Sequence, residues 1–588
     1  MSGRPFNHPS PSTTSLLPKA SPAPAAGSSR PPPSVRSSAS HPSSISEKYS
    51  LSHSPHEWGL PLLMSTPEPD DIIHNPDPRR DRRNDLGGSV FTVRGLGNLG
   101  CLSILAAGCL ALFASYPIIT HFTEHKQTNQ GGFNLGGTNA TGQVPSLPGN
   151  YGLIDKDTPQ SAYTTKSYHT GDDMVLVFSD EFNVDGRTFF PGEDPFWEAV
   201  DLHYWGTNDL EWYDPGQATT KGGYLQIRLE QVANPADNHN LGFKSGMIQT
   251  WNKFCFTGGL ILASVMLPGS SSISGFWPAI WTMGNLGRAG FGGTVEGLWP
   301  YSYDSCDVGT LPNQTYPGTA TPLAAVTNGD PGNQNMLSYQ PGQRLSACTC
   351  PGESHPGPMR ADGSYVGRSA PEIDIFEAIV DAGVGQVSLS SQWAPFNARY
   401  LFTNSTGVVT FDDPNRTSLN AYLGGAFQQT TSGLSLTNPN CYELNGGCYT
   451  VYGFEYKPGF DDAYITWIND NQRAWTILVA AMGPDAATEI SARPVPTEPM
   501  YIIANLGFSQ NFGDIVLDTM TFPATMSVDW IRVYQPKNSI NIGCDPVNYP
   551  TAAYIDTYYA AYTNPNITTW EQSKQSWPKN RLMPAGCN

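Results

Sequence analysis

The chain is poor in charge, and poorest in positive charge. Only 14 % of its 588 residues are charged, and 32 Lys and Arg stand against 51 Asp and Glu, a net charge of −19. A protein that holds nucleic acid through bulk positive charge is excluded. The low content of Glu and Lys also excludes a long coiled coil. Histidine is scarce, at 11 residues, and none sits in an H-E-x-x-H array or beside a G-x-S-x-G turn. No Walker loop and no acidic metal site is evident, which disfavours a synthase fed by a nucleotide sugar; no cofactor and no metal is expected. No internal repeat is visible, which ranks a structural adhesin last. What the chain does have is 59 Gly, 51 Pro and 11 % aromatics, including 14 Trp. That mixture suits short strands joined by many turns.

The charge is unevenly placed. Residues 1–94 carry a net +2, residues 95–120 carry no charge, and residues 121–588 carry −21. Residues 1–46 hold 14 Ser and 10 Pro. Such a stretch buries too little apolar surface to offset the entropy of ordering, so 1–94 is expected to be a disordered tail. The apolar run Leu99 to Ile119, with Pro117 near its far end, is long enough for a transmembrane helix, placed over 95–120. It starts too late for a cleaved signal peptide. Arg79, Arg80, Arg82, Arg83 and Arg94 precede it, whereas His121, Glu124, His125 and Lys126 follow it. The positive-inside rule then puts residues 1–94 in the cytoplasm and the rest in the lumen or outside. The expected product is a single-pass type II membrane protein of the secretory pathway (endoplasmic reticulum, Golgi or plasma membrane), with the lipid bilayer as one partner. Gly95, Gly97 and Gly100 match the dinucleotide fingerprint G-x-G-x-x-G. They run straight into the apolar span with no preceding strand, so they read as its beginning.

Two further patterns agree with this topology. The sequons at Asn139, Asn313, Asn404, Asn415 and Asn566 all follow the span. Cys101 and Cys109 lie within it, and the other eight cysteines lie beyond it, an even set on the oxidising side that reads as disulfides. Cys441–Cys448 and Cys544–Cys587 are expected as local closures, with Cys348 and Cys350 each pairing elsewhere.

Residues 121–165 read as a polar, Gly-rich stalk. Short strand-like runs follow: Val175–Phe178, Tyr224–Leu229, Leu260–Met266, Glu372–Ile379, Val387–Gln392, Tyr449–Tyr456, Tyr464–Ile468, Met500–Leu506 and Met526–Tyr534. Many strands without intervening amphipathic helices predict an all-β sandwich over 166–535. Arg288–Arg368 and Pro395–Gly446 read as long irregular loops. Residues 536–588 read as a disulfide-pinned extension with a helix near Thr551–Tyr562.

The most informative segment is Glu372-Ile373-Asp374-Ile375-Phe376-Glu377. A regular strand places Glu372 and Asp374 on one face and Glu377 on the other. A β-bulge at Ile375/Phe376 brings all three to one face. Two carboxyls flanking a third on a rigid surface supply what a retaining glycosidase needs, a nucleophile and an acid/base about 5–5.5 Å apart.

This hexapeptide resembles the E-x-D-x-x-E signature of glycoside hydrolase family 16 in its bulged, laminarinase-like form. The wider stretch Gly367–Ala378 is similar to one branch, the fungal β-glucan synthesis-associated membrane proteins involved in cell-wall β-1,6-glucan. Val177–Asn183, Asn208–Asp214, Gly275–Trp281 and Asp529–Tyr534 resemble other family segments in the same order. The resemblance implies a concanavalin A-like β-jelly-roll whose concave face binds β-glucan. It also implies Glu372 as nucleophile, Glu377 as acid/base and Asp374 as the assisting carboxylate. Where many laminarinase-like members place a His on the next strand, this chain has Gln392. Trp212, Trp277, Trp281 and Trp393 are candidate sugar platforms, with Asn208 and Gln392 as polar contacts.

Two functions remain open on these residues. One is a membrane-anchored glycosidase or transglycosylase acting on β-glucan. The other is a non-catalytic glucan-binding factor that assists a synthase or other wall-synthesis proteins.

Overall fold

The computed structural model describes residues 152–588, residues 91–116 with Ile118, and the isolated Arg79 and Arg82. Most of the expected tail, the stalk up to residue 151, Pro117 and the Asn139 sequon lie outside the described residues. Residues 1–123 and 124–588 form two separate units.

In the first unit, helix α1 spans Val93–Leu110 and runs on through a π turn to Ser115. Thr92 caps it, its hydroxyl accepting from the Gly95 N–H at 3.1 Å. The 21 residues Gly95–Ser115 are long and apolar enough to cross a bilayer, and none of this stretch is buried against protein.

The second unit is an antiparallel sandwich. Its principal strands are β1 (Asp173–Asp180), β2 (Tyr224–Gln231), β3 (Met247–Gln249), β4 (Gly259–Met266), β5 (Trp277–Gly284), β6 (Glu372–Asp381) and β7 (Val384–Trp393). They continue as β8 (Gln428–Leu436), β9 (Thr450–Lys457), β10 (Tyr464–Asn469), β11 (Gln472–Leu478), β12 (Met500–Gly507) and β13 (Ala524–Pro536). One sheet runs β11-β10-β9-β4-β13-β2, with β1 also paired to β13. The other runs β8-β7-β6-β5-β12-β3. Alternation along each strand sends one set of side chains into the space between the sheets. Phe178, Ile261, Ile280, Ile375, Phe376, Trp467, Trp475 and Val533 are among the fully buried residues there. Every strand-like run expected from the sequence lies on a strand.

The interval Pro395–Gly446 is a correction. It contains β8, a nine-residue strand beside β7. Its sequence, Gln-Gln-Thr-Thr-Ser-Gly-Leu-Ser-Leu, carries few apolar residues because one face is lined with hydroxyls. The other face admits a bulky neighbour at Gly433, where a Cβ would lie 2.6 Å from Trp475 Nε1.

The disulfides are Cys255–Cys544, Cys306–Cys348, Cys350–Cys587 and Cys441–Cys448. The short Cys441–Cys448 closure is as expected, and Cys348 and Cys350 do pair elsewhere. Cys544–Cys587 is corrected. The extension does not close on itself; each end is tied to a different part of the sandwich. Its helices α2 (Ala552–Thr557) and α3 (Tyr559–Thr563) bury Tyr554, Ala561 and Tyr562, with Trp570 beyond them, against the insertion that precedes β6.

Candidate active site

The bulge in β6 fixes the site. Ile280 of β5 lies opposite Phe376, but the next residue, Trp281, lies opposite Asp374, so Ile375 is one residue too many. Ile375 and Phe376 both turn into the core and are fully buried. Glu377 therefore shares the outer face of the sheet with Glu372 and Asp374. Opposite them on β5 stand Met283, Trp281 and Ala279.

Each carboxyl has its own donors. The Trp299 indole N–H donates to Glu372 Oε2 at 2.7 Å. Asp374 Oδ2 accepts from Ser390 Oγ at 2.8 Å and from Gln392 Nε2 at 3.1 Å. Glu377 Oε1 accepts from the Trp277 indole N–H at 3.1 Å, and its other oxygen accepts from Ser390 at 3.4 Å. The Asp374 backbone is held from beneath, its carbonyl accepting the Trp467 indole N–H at 2.8 Å. Rigid support of this kind keeps reacting groups in a fixed relation.

Burial raises the pKa of all three acids, and their mutual repulsion adds to the rise at Glu372 and Glu377. Glu372 is pushed well above the usual carboxyl range, by burial first and then by Asp374 and Glu377. Burial lifts Asp374 to about 6 against the pull of its Ser390 and Gln392 donors. Burial and the Asp374 charge lift Glu377 to about 8. Asp374 and Glu372 repel each other when both are charged, so the ionisation of one opposes that of the other. Asp374 is buried, while Glu372 and Glu377 keep an edge open to solvent.

The candidate sugar contacts divide. Trp277 and Trp281 stand on the same face as the acids. Trp281 is fixed by Asn505, which accepts its N–H at 2.8 Å and donates to the Tyr213 hydroxyl at 3.0 Å. One face of Trp277 is stacked on Phe512, with centroids 4.2 Å apart and planes within 3°. Gln392 stands opposite Glu372, and its carbonyl accepts from Thr430 at 2.6 Å, so it is spent orienting Asp374. Asn208 is exposed on a rim turn, with a left-handed φ of 55°. Tyr204, four residues earlier, lies within electrostatic reach of Glu372 and Asp374.

Two residues lie elsewhere. Trp393 is a correction: it is fully buried in the core and donates to Thr431 at 3.0 Å. It follows Gln392 on a pleated strand, so the two cannot share a face. Trp212 turns away from its neighbour Tyr213. It stacks on His239 at 3.5 Å and donates to Asp201, and the structure does not bring it to the acids. The sequons at Asn313, Asn404, Asn415 and Asn566 all sit at exposed residues.

Several site residues were not picked out from sequence: Trp299, Ser390, Thr430, Asn505, Phe512 and Tyr204. Ser390 carried a signal, since it lies two residues before Gln392 and therefore on the same face. Trp299 carried none, being 73 residues from the carboxylate it holds. No group of His, Cys, Asp and Glu able to hold a metal occurs among the described residues.

Comparison with known proteins follows from this geometry. The model of the family described as beta-glucan synthesis-associated protein SKN1/KRE6/Sbg1 matches residues 60–587. KRE6 of Saccharomyces cerevisiae is 40 % identical over 536 residues, covering 89 % of this chain and 69 % of that protein. SKN1 of Candida albicans is 38 % identical over 536 residues, covering 90 % and 68 %. Among solved structures, the laminarinase catalytic domain of Thermotoga maritima is 18 % identical with a TM-score of 0.35, covering 62 % of this chain and 100 % of that one. The endo-β-1,3-glucanase of Pyrococcus furiosus is 16 % identical with a TM-score of 0.35, covering 63 % and 98 %.

Proposed function

The chain belongs to the beta-glucan synthesis-associated SKN1/KRE6/Sbg1 family, and from that premise we propose that it is a membrane-anchored retaining transglycosylase of cell-wall β-glucan. One observation carries the reading: a single bulged strand presents Glu372, Asp374 and Glu377 on one face, held by Trp299, Gln392 and Trp277 respectively. A protein that only binds glucan gains nothing from three mutually repelling carboxyls, one buried and two half-buried, which are costly to hold together.

In this reading Glu377, protonated at neutral pH, gives its proton to the glycosidic oxygen that leaves. Glu372 attacks the anomeric carbon, and a glucosyl ester forms on its carboxyl as the glycosidic bond breaks. Glu377 then takes the proton from the hydroxyl of an incoming glucan, whose oxygen displaces Glu372 and retains the β configuration. Glu372 attacks only as the anion, so Asp374 holds the proton at that moment. Trp281 and Trp277 offer platforms for the sugar rings. Helix α1 anchors the chain with residues 1–94 in the cytoplasm and the sandwich in the lumen or outside, where the wall polymer lies.

A binding factor without catalysis is the second reading. The observation that favours it is Phe512, which covers one face of Trp277. Glu372→Gln in cells separates the two. The catalytic reading expects wall β-1,6-glucan to fall while the protein stays stable and correctly localised. Unchanged β-1,6-glucan under those conditions overturns it.

A further inference from the structure

The C-terminal extension lies far from Glu372 in sequence, yet its contacts converge on the segment that carries Trp299. Trp299 follows the short turn 292–298, its backbone N–H bonded to the Val295 carbonyl at 2.8 Å. That turn has little apolar content and three glycines. It is held from two sides.

On one side stands Arg344. Its guanidinium donates to the carbonyls of Glu296 at 2.6 Å, Thr294 at 3.2 Å and Gly293 at 3.4 Å. It is fully buried, and these partners are all backbone carbonyls. Its planar face lies 3.8 Å from the centre of the Trp570 ring, a close cation–π contact.

On the other side stands the extension itself. Gly293 N–H donates to the Ile567 carbonyl at 2.8 Å, and the backbone N–H of Trp570 donates to the Glu296 carboxylate. The glycines are needed for this approach. A Cβ at Gly292 would meet the Thr568 carbonyl oxygen at 2.7 Å, and one at Gly297 would meet the Trp577 ring at 2.4 Å. The extension is strapped at both ends, by Cys255–Cys544 and Cys350–Cys587. Between them, Arg368, four residues before Glu372, donates to the Pro550 carbonyl at 2.8 Å.

We propose that the extension is a working part of the site: Trp570, clamped on Arg344, is a positioning residue that seats Trp299 and so holds the charge on Glu372. The inference rests on the reading of Glu372 as nucleophile. An N–H aimed at a carboxylate oxygen favours the anion. With Trp299 seated, its N–H supports the anion of Glu372 against the rise that burial imposes. With Trp299 loose, that support is gone, the anion is rarer, and attack slows. Release of the extension therefore silences the carboxylate without touching it.

The test uses the full chain in detergent, with 15N placed at the tryptophan indoles. The Trp299 resonance is the one missing in Trp299→Phe. In the wild type its N–H shift follows the titration of the Glu372 carboxyl. In Trp570→Ala it moves toward the position of a free indole, and labelling of Glu372 by a 2-deoxy-2-fluoro-β-glucosyl fluoride slows by about tenfold or more, with its acid limb raised by about 0.5–1 in pH. The double variant Trp299→Phe/Trp570→Ala is labelled no more slowly than Trp299→Phe alone, because both act through one bond. Trp570→Leu, which keeps apolar bulk but removes the aromatic face under Arg344, serves if Trp570→Ala does not fold, and shifts the same resonance. An unmoved Trp299 resonance in the folded variants, or additive effects in the double variant, overturns the proposal. A resonance that moves in a chain whose wild type is never labelled keeps the positioning role and overturns the catalytic reading instead.

Discussion

Replacing Glu377 by Gln should stabilise the protein, and more so as the pH rises. Burial and the Asp374 charge hold Glu377 at about 8, against about 4.3 for a free Glu side chain. The folded state thus binds this proton more tightly than the unfolded chain. Below pH 4 both states are protonated and the group contributes nothing. Between about pH 4 and 8 only the folded state holds the proton, so stability falls as pH rises. Above pH 8 the full cost is present, on the order of 5 kcal/mol at about 1.4 kcal/mol for each pH unit of displacement. A neutral amide removes that cost while keeping an acceptor for the Trp277 N–H. At about 2 cal/mol/K for each residue, a folded unit of roughly 440 residues has an unfolding entropy near 0.9 kcal/mol/K. The midpoint of Glu377→Gln should therefore exceed that of the wild type by about 5 °C at pH 8.5, and match it at pH 4. The assay is calorimetric melting of both chains across that range. A difference that does not change with pH would show that Glu377 is not held protonated and would refute the acid assignment.

Other substitutions divide support from contact. Trp393→Ala should cost about 3–5 kcal/mol in urea unfolding, because it empties a fully buried site. Trp281→Ala should cost less in unfolding and weaken gluco-oligosaccharide binding by calorimetry. Deleting Ile375 straightens β6 and leaves the order Glu-Ile-Asp-Phe-Glu, whose regular alternation keeps all three acids on one face. Transfer should therefore survive the deletion, though slowed, whereas Glu377→Gln abolishes it, both read by mass spectrometry of the products. Arg368→Leu leaves Glu498 buried without its cation, a pair now 0 % and 2 % exposed. It should lower stability by about 3–5 kcal/mol, measured by denaturant titration.

The acid triplet was legible in the sequence because the pleat leaves few choices. Three carboxyls at positions 372, 374 and 377 of an apolar strand reach one face only through an extra residue, and Ile375 is that residue. The same rule was available at Gln392 and Trp393, where adjacency forces opposite faces. β8 was hidden because a strand floored by Ser and Thr over a polar cleft has no apolar alternation to detect. The disulfides were hidden for a different reason. Cys544 and Cys587 are close in sequence, but the extension between them runs across the insertion, so each finds its partner at the far side of a loop closure. Trp299 belongs to the same class: its role depends on how residues 285–371 fold back, and no local pattern encodes that.

The central claim is that Glu372 carries a glucosyl group from one chain to another. The direct measurement is mass spectrometry of products after incubating the full chain with isotopically labelled β-1,3- and β-1,6-gluco-oligosaccharides. The account predicts labelled chains longer than the substrate, β-linked throughout, formed by the wild type and absent with Glu372→Gln. Lengthened products that persist in Glu372→Gln, or a folded wild type that yields none, would contradict it.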